Sequence, residues 1–508
     1  MTPILLGVAD TIESEFNAEE YKSSSALEKY YKILFRSVDK LFTFLGTDRA
    51  KIAPFLTDFV SVEPQSLARE GYGFTVRDAN DLGFTGIACH VVDLGGASVG
   101  GALQQAYTIV SSNPDSVVLV AAADVPKSVF KQVSDLKKLT FTVCHKDWEI
   151  PYGSTLIGLY AILAERSMKD AGINSEDFEK ITKYFREKAI SNPRAFQFEK
   201  VLTDKQLHKP LAGPYSTPMI AIVTDHGFAT LITTETKKQE LIDKGIIRKD
   251  LKHIYLAGAG HAAHTEYFIQ KKDLASPAAI AAERAFSLSG WEREDIDYAW
   301  IYDCFTGMII GQASLYFGKP AKEVATSLHE GKIPTGKRQI PINFGGGILN
   351  YQAAMSLSGA AGLIDVASQY DLAVDPIPNR LSEPPNVSLL GGNGGIDSIN
   401  SVIIFSKEAP QKGRRSVQPT RALGVNVPHA KEEEEGVILS ASAVHFNPGG
   451  QKKPPYLLCA VTTNAGSMLL TNLFSESGEE IKSADTIEIG KTKVKLKILN
   501  GILQSYLI

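Results

Sequence analysis

The sequence has few cysteines, no long apolar run and no excess of one charge sign. Its 508 residues hold only four cysteines, Cys89, Cys144, Cys304 and Cys459, and no two of them form a Cys-x-x-Cys pair. This argues against a disulfide framework or a zinc site and fits a reducing cytosol. No apolar stretch approaches the roughly 20 residues that cross a bilayer. The net charge of −4 disfavours a dedicated nucleic-acid binder, which usually carries a basic excess.

Neither end of the sequence carries a recognisable address. The apolar run at Met1–Gly7 is too short for a secretory signal and lacks a basic region before it. The last residues, Tyr506-Leu507-Ile508, do not form a peroxisomal signal. We therefore expect a cytoplasmic protein.

The first quarter of the chain alternates predicted strands with predicted helices. Apolar runs and helical spacing predict, in order, strand Ile4–Val8, helix Ala26–Leu45, a strand at Val60 and Val62, strand Ile87–Val92, helix Ala102–Val110 and strand Val117–Ala123. Such alternation favours a layered α/β architecture.

Residues of about 126–235 interrupt this rhythm, and the sequence predicts an inserted loop domain there. It contains predicted helices at Leu156–Ala171 and 176–190 and a strand near Ile220–Val223. A second α/β set follows, with strand Ile254–Leu256, helix Ser276–Ser289, strand Ile296–Ile301, helix Met308–Phe317, helix Ala353–Ser368 and strands Val387–Leu390 and Val402–Phe405. Its order of strand, glycine-rich turn, helix and strand repeats the first half and suggests an internal duplication.

The last part of the chain contains a linker and predicted strands, without predicted helices between them. Gln411–Ser416 is polar and basic and is typical of a linker. After it, four predicted strands and the turn Asn447-Pro448-Gly449-Gly450 indicate a small all-β module; the strands are Gly436–Phe446, Tyr456–Thr463, Ser467–Phe474 and Lys493–Ile498. The predicted domains are therefore 1–250, 251–410 and 411–508, the last including the linker.

One short segment concentrates reactive side chains. Tyr302-Asp303-Cys304 follows a predicted buried strand and brings a phenol, a carboxylate and a thiol together. Each has a structural alternative: Cys304 as a small core residue, Tyr302 as a core tyrosine and Asp303 as a cap of a turn.

Three glycine-rich runs accompany this segment. They are Gly95-Gly96-Ala97-Ser98, Gly345-Gly346-Gly347 and Gly391-Gly392-Asn393-Gly394-Gly395. Their backbone N–H groups can bind a thioester oxygen or a phosphate and can form an oxyanion hole. The alternative is that the glycines permit close packing of helices on a sheet.

A fourth run, Gly258-Ala259-Gly260-His261-Ala262-Ala263, superficially matches a dinucleotide fingerprint. No clean helix follows it, and no acidic residue ends a strand about twenty residues further on. We interpret it as a tight loop that lines a site.

These motifs together resemble the thiolase superfamily, most closely the sterol-carrier-protein-type and lipid-transfer-protein-type thiolases, over residues 1–408. The motifs on which this resemblance rests are Gly95-Gly96-Ala97-Ser98, His208-Lys209-Pro210-Leu211, Asp225-His226-Gly227, Ile301-Tyr302-Asp303-Cys304-Phe305-Thr306, Asn343-Phe344-Gly345-Gly346-Gly347 and Gly391-Gly392-Asn393-Gly394-Gly395. The resemblance implies two duplicated βαβαβ-type halves in five layers, α-β-α-β-α, with an inserted loop domain. The β module resembles the additional C-terminal domain of type-1 thiolase-like proteins.

The departures from the family pattern concern its reactive residues. Gly96 stands where thiolases have the nucleophilic cysteine, with Cys89 seven residues earlier. Tyr302 replaces the histidine of His-Asp-Cys-Phe, and the Gly-His-Pro histidine has no counterpart after Gly347. The cysteine of the final Cys-x-Gly motif falls on Leu389.

The resemblance implies a coenzyme A thioester as substrate, with no bound cofactor and no metal. The implied catalytic residues are Tyr302, Cys304, Tyr351 and Asp303, and the implied substrate-binding residues are Gly95, Gly96, Ser98, Gly346, Gly347, Gly392, Asn393, Gly394 and His261. It also implies a homodimer. Related retro-aldolases need an OB-fold partner, a role that the β module would fill within this chain.

Three functions are compatible with this pattern. Without a thiol at position 96, an acyl-enzyme is not expected, which favours retro-aldolase-like carbon–carbon cleavage or formation on an acyl-CoA. Tyr302 or Tyr351 would then be the general base, with a lowered pKa. The alternatives are acetyl transfer through Cys304 or Cys89 and a binding protein or complex subunit without turnover.

Overall fold

The computed structural model describes residues 1–67, 74–132, 135, 140, 143–265, 267–271, 274–410, 428–447 and 452–508. The α-helices of this part are α1 Ala18–Ser23, α2 Ala26–Leu45, α3 Arg49–Ile52, α4 Phe74–Asp81, α5 Ser98–Ser112, α6 Pro126–Val129, α7 Leu156–Ala171, α8 Ser175–Ile190, α9 Asp204–Leu207, α10 Glu235–Asp243, α11 Ala278–Ser289, α12 Thr306–Phe317, α13 Ala321–Leu328, α14 Gly347–Asn350 and α15 Gly359–Gln369. Among them, none combines the length and apolarity needed to cross a bilayer.

The described strands form two large sheets and one small hairpin. In chain order they are β1 Ile4–Ile12, β2 Asp58–Val62, β3 Ala88–Val92, β4 Val118–Asp124, β5 Pro210–Ala212, β6 Tyr215–Ser216, β7 His226–Thr233, β8 Ile254–Ala263, β9 Tyr298–Trp300, β10 Lys332–Thr335, β11 Arg338–Pro341, β12 Val387–Gly394, β13 Ile399–Ser406, β14 Glu435–Val444, β15 Tyr456–Thr463, β16 Met468–Thr471, β17 Leu473–Phe474, β18 Lys493–Leu499 and β19 Ile502–Leu507.

Nine strands form one continuous sheet in the order β3-β2-β4-β7-β1-β8-β13-β12-β9. Strand β1 joins the two halves because it pairs antiparallel with β7 on one side and, through Ile4 and Leu5, with β8 on the other. Strand β7 lies inside the interval predicted as an insertion, so the inserted segment ends before His226. The prediction of a strand near Ile220–Val223 is wrong, because those residues are irregular and strand β7 begins only at His226.

Helices cover both sides of each half of the sheet. Helix α2 packs on β1, β7 and β4, whereas α11 packs on β8 and β13. Helix α5 contacts β2 and β4 of the first half as well as β8, β12 and β13 of the second. It therefore lies between the two halves, and the candidate site lies at its N-terminal end.

Two predicted elements differ from the structure for reasons of packing. The predicted tight loop at Gly258–Ala263 is the second half of β8. A side chain at Gly258 would begin 2.2 Å from the carbonyl oxygen of Ala285, so glycine is needed here for α11 to approach the strand. The helix predicted at Ala353–Ser368 begins only at Gly359, as α15. The residues before it are irregular apart from a 3₁₀ turn at Met355–Leu357, where Met355 has a left-handed φ of 49° that a right-handed helix cannot include.

The C-terminal region forms the second sheet, with strand order β16-β15-β14-β18-β19-β17. The inserted segment joins it: β5 pairs with β14 through Ala212 and Val444, and α7 packs on β14 and β15. The inserted segment and the C-terminal strands therefore share one core. The predicted linker Gln411–Ser416 and the turn residues 448–450 lie outside the described residues.

Candidate active site

The side-chain position of Gly96 is already occupied. A Cβ atom built on Gly96 would lie 2.1 Å from the Tyr302 hydroxyl oxygen and 2.3 Å from the main-chain oxygen of Asn393. Tyr302 follows β9 in the segment that leads to α12, and its side chain is buried. The phenol therefore fills the volume that a side chain at position 96 would need.

The third glycine run is a strand end that lies against the loop of Gly96. Residues up to Gly394 belong to β12, and a side chain at Gly394 would begin only 1.9 Å from the carbonyl oxygen of Leu94. A Cβ atom built on Gly392 would lie 3.2 Å from the Cα atom of Ala97, and one built on Gly95 would lie 3.0 Å from the backbone nitrogen of Gly395. These glycines allow two backbone segments to approach closely, as the packing alternative expects.

Cys304 lies in a small hydrogen-bond network with Asn393 and Tyr160. The Asn393 side-chain nitrogen donates to the Tyr160 hydroxyl at 3.1 Å and approaches the Cys304 sulfur at 3.6 Å. The Tyr160 hydroxyl in turn donates to the Gly395 carbonyl oxygen at 2.6 Å. Burial raises the pKa of the Cys304 thiol to about 12, so it remains a thiol near neutral pH.

The pKa of Tyr302 moves in the direction opposite to that expected for a general base. Burial raises the pKa well above its usual value of about 10, against a hydrogen bond with Ser358 that lowers it. The side chain is therefore a neutral phenol in the resting protein. It can donate a hydrogen bond or exchange a proton, but it does not rest as a phenolate.

Asp303 caps α14 and does not reach the Tyr302 hydroxyl through any described hydrogen bond. Its carboxylate accepts the N–H groups of Ile348 at 2.8 Å and Leu349 at 3.4 Å. A side chain at Gly347 would begin 1.9 Å from this carboxylate. Burial raises the pKa of Asp303 to about 7. Asp303 was interpreted either as a reactive residue or as the cap of a turn, and its hydrogen bonds in the structure are those of a cap.

In the second glycine run, two of the three N–H groups bond within the fold. Gly345 donates to the Asp365 carboxylate at 2.7 Å, and Gly346 donates to the Asn343 carbonyl oxygen at 3.0 Å. Gly346 also packs against Ala189 of α8. The N–H groups of Gly345 and Gly346 are therefore not available for the expected oxyanion hole.

Tyr351 belongs to a different polar cluster. Its hydroxyl donates to the Asp10 carboxylate at 3.0 Å, which also accepts from His226 at 3.0 Å and from Arg194 at 2.6 Å. Burial and the Asp10 carboxylate raise the pKa of Tyr351 well above its usual range. No described hydrogen bond joins the Tyr351 hydroxyl to Tyr302, and the role of Tyr351 as a base stays a prediction.

Three further predicted residues have other partners. Ser98 closes its own turn, because its hydroxyl donates to the Gly95 carbonyl oxygen and accepts the Leu94 N–H. His261 pairs with Gln104 of α5 at 2.8 Å, and burial lowers its pKa. Cys89 lies on edge strand β3 in an apolar cluster that does not contain Tyr302.

A cavity of about 200 Å³ lies beside the site, between α7 and α12. Gly307 and Met308, which follow Phe305, form part of its wall, and Tyr215 contacts the Phe305 ring at 5.0 Å. The lining residues are Leu163, Ala164, Ser167, Tyr215, Leu274, Ser276, Gly307, Met308, Gly311, Leu315 and Asp397. Leucine, alanine and methionine side chains line much of it, together with Tyr215, two serines and the carboxyl group of Asp397.

Sequence reasoning missed Tyr160 and the Asp10 cluster. Tyr160 is 233 positions from Asn393, and its helix gives no local sign that one hydroxyl enters a site. The signals for the Asp10 cluster were an aspartate inside an apolar strand and His226, which carried the family resemblance without a role. No group of three or more potential metal-ligating His, Cys, Asp or Glu side chains occurs in the described part of the chain.

The fold defines a thiolase-like α/β protein, and the comparisons agree. The family model "Thiolase C-terminal domain-like" matches residues 260–407. An acetyl-CoA acetyltransferase of Methanocaldococcus jannaschii is 28% identical over 298 residues, 58% of this chain and 72% of that protein. A steroid side-chain-cleaving aldolase of Thermomonospora curvata is 23% identical over 252 residues, 49% and 62% of the two chains.

One solved structure aligns along the whole chain. The monomeric SCP2-thiolase-like protein type 1 of Mycobacterium smegmatis covers 100% of this chain and 99% of its own, at 15% identity and a TM-score of 0.70. The alignment therefore includes the C-terminal β region. Residues 260–407 thus match a thiolase family model, and the relatives and solved structures to which the chain is similar are thiolase-like proteins.

Restoring the cysteine at position 96 is expected to destabilise the protein. In Gly96→Cys the new Cβ atom would overlap the Tyr302 hydroxyl and the Asn393 oxygen, and such overpacking costs about 1–3 kcal/mol. Combining it with Tyr302→Ala removes one of the two overlaps, so the two changes should couple by more than about 0.5 kcal/mol. Thermal melting of the wild type, both single variants and the double variant measures this. A Gly96→Cys protein as stable as the wild type contradicts the packing described.

Proposed function

We propose that the protein is an acyl-CoA enzyme that breaks or forms a carbon–carbon bond next to the thioester without an acyl-enzyme. One observation carries the proposal: the Tyr302 phenol occupies the place of a side chain at position 96, where thiolases have their nucleophile. A site with a proton-exchanging group there suits proton transfer better than acyl transfer. Both acetyl-CoA acetyltransferases and a steroid side-chain-cleaving aldolase are among the relatives.

The proposed cleavage acts on a 3-hydroxyacyl thioester and needs no redox partner. The bond between C2 and C3 breaks, C3 becomes a carbonyl carbon, and the bonding electrons pass to C2 and the thioester oxygen as an enolate. Tyr302 gives its proton to C2, and its oxygen takes the proton of the 3-hydroxyl group. The products are a shorter acyl-CoA and an aldehyde or ketone. Since the phenol begins and ends neutral, its raised pKa is compatible with this exchange.

The cavity between α7 and α12 supports an acyl substrate. Its wall includes Gly307 and Met308, which follow the Cys304 segment in the sequence, and several leucine and alanine side chains. In our proposal the acyl part of the thioester enters this cavity. Acyl sites of this kind have apolar walls with few polar groups.

Acetyl transfer through a cysteine is the weaker alternative. The thiolate is the nucleophile, and burial raises the pKa of both Cys304 and Cys89, which works against it. Binding without turnover is the second candidate. It is favoured by the burial of Tyr302, which is only 5% exposed, and by the closed contacts around Gly96.

Turnover of a thioester panel tests the proposal. The purified full-length chain is incubated with acyl-, 3-ketoacyl- and 3-hydroxyacyl-CoA thioesters of several chain lengths, and the products are identified by mass spectrometry. We expect a shorter acyl-CoA and a free carbonyl product from a 3-hydroxyacyl-CoA alone. Calorimetric binding of thioesters without any product would favour the binding protein. Products from 3-ketoacyl-CoA and free coenzyme A would favour acetyl transfer.

We also propose five layers, with α2 outside the first half, α5 and α15 between two duplicated halves, and α11 outside the second. Contacts of α5 with both halves support this order. We also propose domains at 1–250, 251–410 and 411–508. Strand β7 belongs to the sheet of the first domain and not to the inserted segment.

The C-terminal β region is proposed to act in place of a separate OB-fold partner. It packs on α7, and α7 supplies Tyr160 to the network at Cys304. Its role would therefore be to hold the helix that completes the site.

A second copy of the chain is the expected partner, through the edge of strand β3. Among the described strands, β3 pairs only with β2, and Val91 on it is 50% exposed. An unpaired edge with exposed apolar residues is a template for another strand. We expect the wild type to have the mass of two chains by light scattering and Val91→Lys that of one. A monomeric wild type at micromolar concentration contradicts the dimer.

A further inference from the structure

The side-chain oxygen of Asn393 is buried without a donor. Asn393 is 2% exposed, and among the described residues no group donates a hydrogen bond to its Oδ1 atom. The hydrogen bonds of the neighbouring Tyr160 hydroxyl determine which atom of the Asn393 side-chain amide is the oxygen and which is the nitrogen. The Tyr160 hydroxyl gives its own proton to the Gly395 carbonyl oxygen, so it can only accept from Asn393, and the atom facing it must be Nδ2.

The free oxygen belongs to a residue at the centre of the candidate site. The main-chain oxygen of Asn393 and the Tyr302 hydroxyl both lie within 2.5 Å of the point where a side chain at Gly96 would begin. The Asn393 amide nitrogen is directed towards the Tyr160 hydroxyl and the Cys304 sulfur. A buried acceptor without a donor costs about 1–3 kcal/mol, so a bound molecule that brings a donor is favoured there.

The chemistry of acyl thioesters restricts which group can be that donor. The thioester carbonyl and a 3-keto oxygen are acceptors only and would face Asn393 Oδ1 with like polarity. A 3-hydroxyl group is a donor. The group that matches this oxygen is therefore a hydroxyl close to the bond that would break.

We propose that Asn393 is a specificity-determining residue whose side-chain oxygen accepts a hydrogen bond from the 3-hydroxyl group when a 3-hydroxyacyl thioester binds. During cleavage the hydroxyl rotates about its C–O bond and gives the same proton to Tyr302. Asn393 selects this substrate class over 3-ketoacyl and plain acyl thioesters. Tyr160 is the positioning residue, because its hydroxyl fixes the orientation of the amide. This inference rests on the proposed function, which supplies the thioester, and it concerns binding rather than turnover.

The preference is expected to be large enough to measure. A site that pairs with a substrate hydroxyl leaves its own group unpaired when the hydroxyl is missing, and this produces discrimination. We expect 3-hydroxybutanoyl-CoA to bind at least about ten-fold more tightly than 3-oxobutanoyl-CoA or butanoyl-CoA, which corresponds to the loss of one buried hydrogen bond.

Calorimetric titration of these three thioesters into the full-length chain tests the inference. Asn393→Leu and Asn393→Ala should lose the ten-fold preference, and Tyr160→Phe should reduce it. Tyr370→Phe, which removes a buried hydroxyl bonded to Ser388, is the matched control and should retain it. Thermal melting of each variant verifies that it is folded.

The outcomes separate this inference from the proposed function. Equal binding of the three thioesters by the wild type, or an undiminished preference in folded Asn393 variants, overturns the inference and would mean that water satisfies the oxygen. Cleavage of 3-hydroxyacyl-CoA without a binding preference overturns the inference alone. A preference that depends on Asn393 without any cleavage supports the inference and contradicts the proposed reaction.

Discussion

Replacing Tyr302 by Phe is expected to lower the rate of 3-hydroxyacyl-CoA cleavage by about 10²–10⁴-fold, the range found for loss of a proton-transfer group. The aromatic ring keeps filling the volume beside Gly96, so the change removes only the hydroxyl. Thioester binding should change little, because the proton exchange occurs in the transition state. Steady-state kinetics should therefore show a fall in kcat with KM nearly constant.

Tyr370→Phe provides the matched comparison for this experiment. Tyr370 is also buried, and its hydroxyl bonds to Ser388 at 3.0 Å, away from the network of Cys304. Its kinetics should resemble those of the wild type. If Tyr302→Phe cleaves the best 3-hydroxyacyl-CoA as fast as Tyr370→Phe does, Tyr302 does not exchange the proton.

Replacing Asp10 by Ala is expected to lower the free energy of unfolding by about 3–5 kcal/mol, the usual cost of removing one partner of a buried ion pair. Asp10 is fully buried and accepts hydrogen bonds from Arg194, His226 and Tyr351. Without it, the buried His226 and Tyr351 lose their acceptor. Arg194 keeps Glu15, 2.8 Å away, as its remaining close partner.

The effect of Asp10 should depend on pH in a defined direction. Burial alone would raise the pKa of Asp10, but the Arg194 guanidinium and the hydrogen bond with His226 hold it well below its usual range. A carboxyl group whose pKa is lowered by folding stabilises the protein above its unfolded-state pKa of about 3.9. The stabilisation is lost as pH falls below that value towards the folded-state pKa. The difference between the wild type and Asp10→Ala should therefore be full at pH 7 and narrow below about pH 4.

Chemical denaturation at pH 7 and at successively lower pH measures this difference. Asp39→Asn is the control, because Asp39 forms an exposed pair with Arg49, and such pairs contribute about 1 kcal/mol or less. A loss in Asp10→Ala no larger than that in Asp39→Asn contradicts the role of the cluster. So would a difference that grows as the pH falls.

Elements with local signals could be predicted from the sequence. Helix α2 begins and ends where its pattern predicts, because Ser25 and Glu28 form a capping box and Gly46 ends the helix in a left-handed conformation. Strand β7 was missed because all its residues are buried, so the alternation of apolar and polar residues that marks a half-exposed strand is absent.

The site could be predicted only in part. The motifs show that Gly96 departs from the family pattern and that Tyr302 carries a phenol. They do not show that this phenol fills the volume that a side chain at position 96 would need. That fact depends on contacts between segments about 200 positions apart. Tyr351 carries the same functional group as Tyr302 and was assigned the same role. Its burial beside Asp10, on the first strand of the chain, could not be seen in the sequence.

The central claim is that Tyr302 replaces the missing thiol and that no acyl-enzyme forms. Intact-protein mass spectrometry of the full-length chain, mixed with acetyl-CoA and with a 3-hydroxyacyl-CoA, tests it most directly. We expect an unchanged protein mass in both mixtures, together with a shorter acyl-CoA from the second. An acyl adduct that peptide mapping places on Cys304 or Cys89 would contradict it.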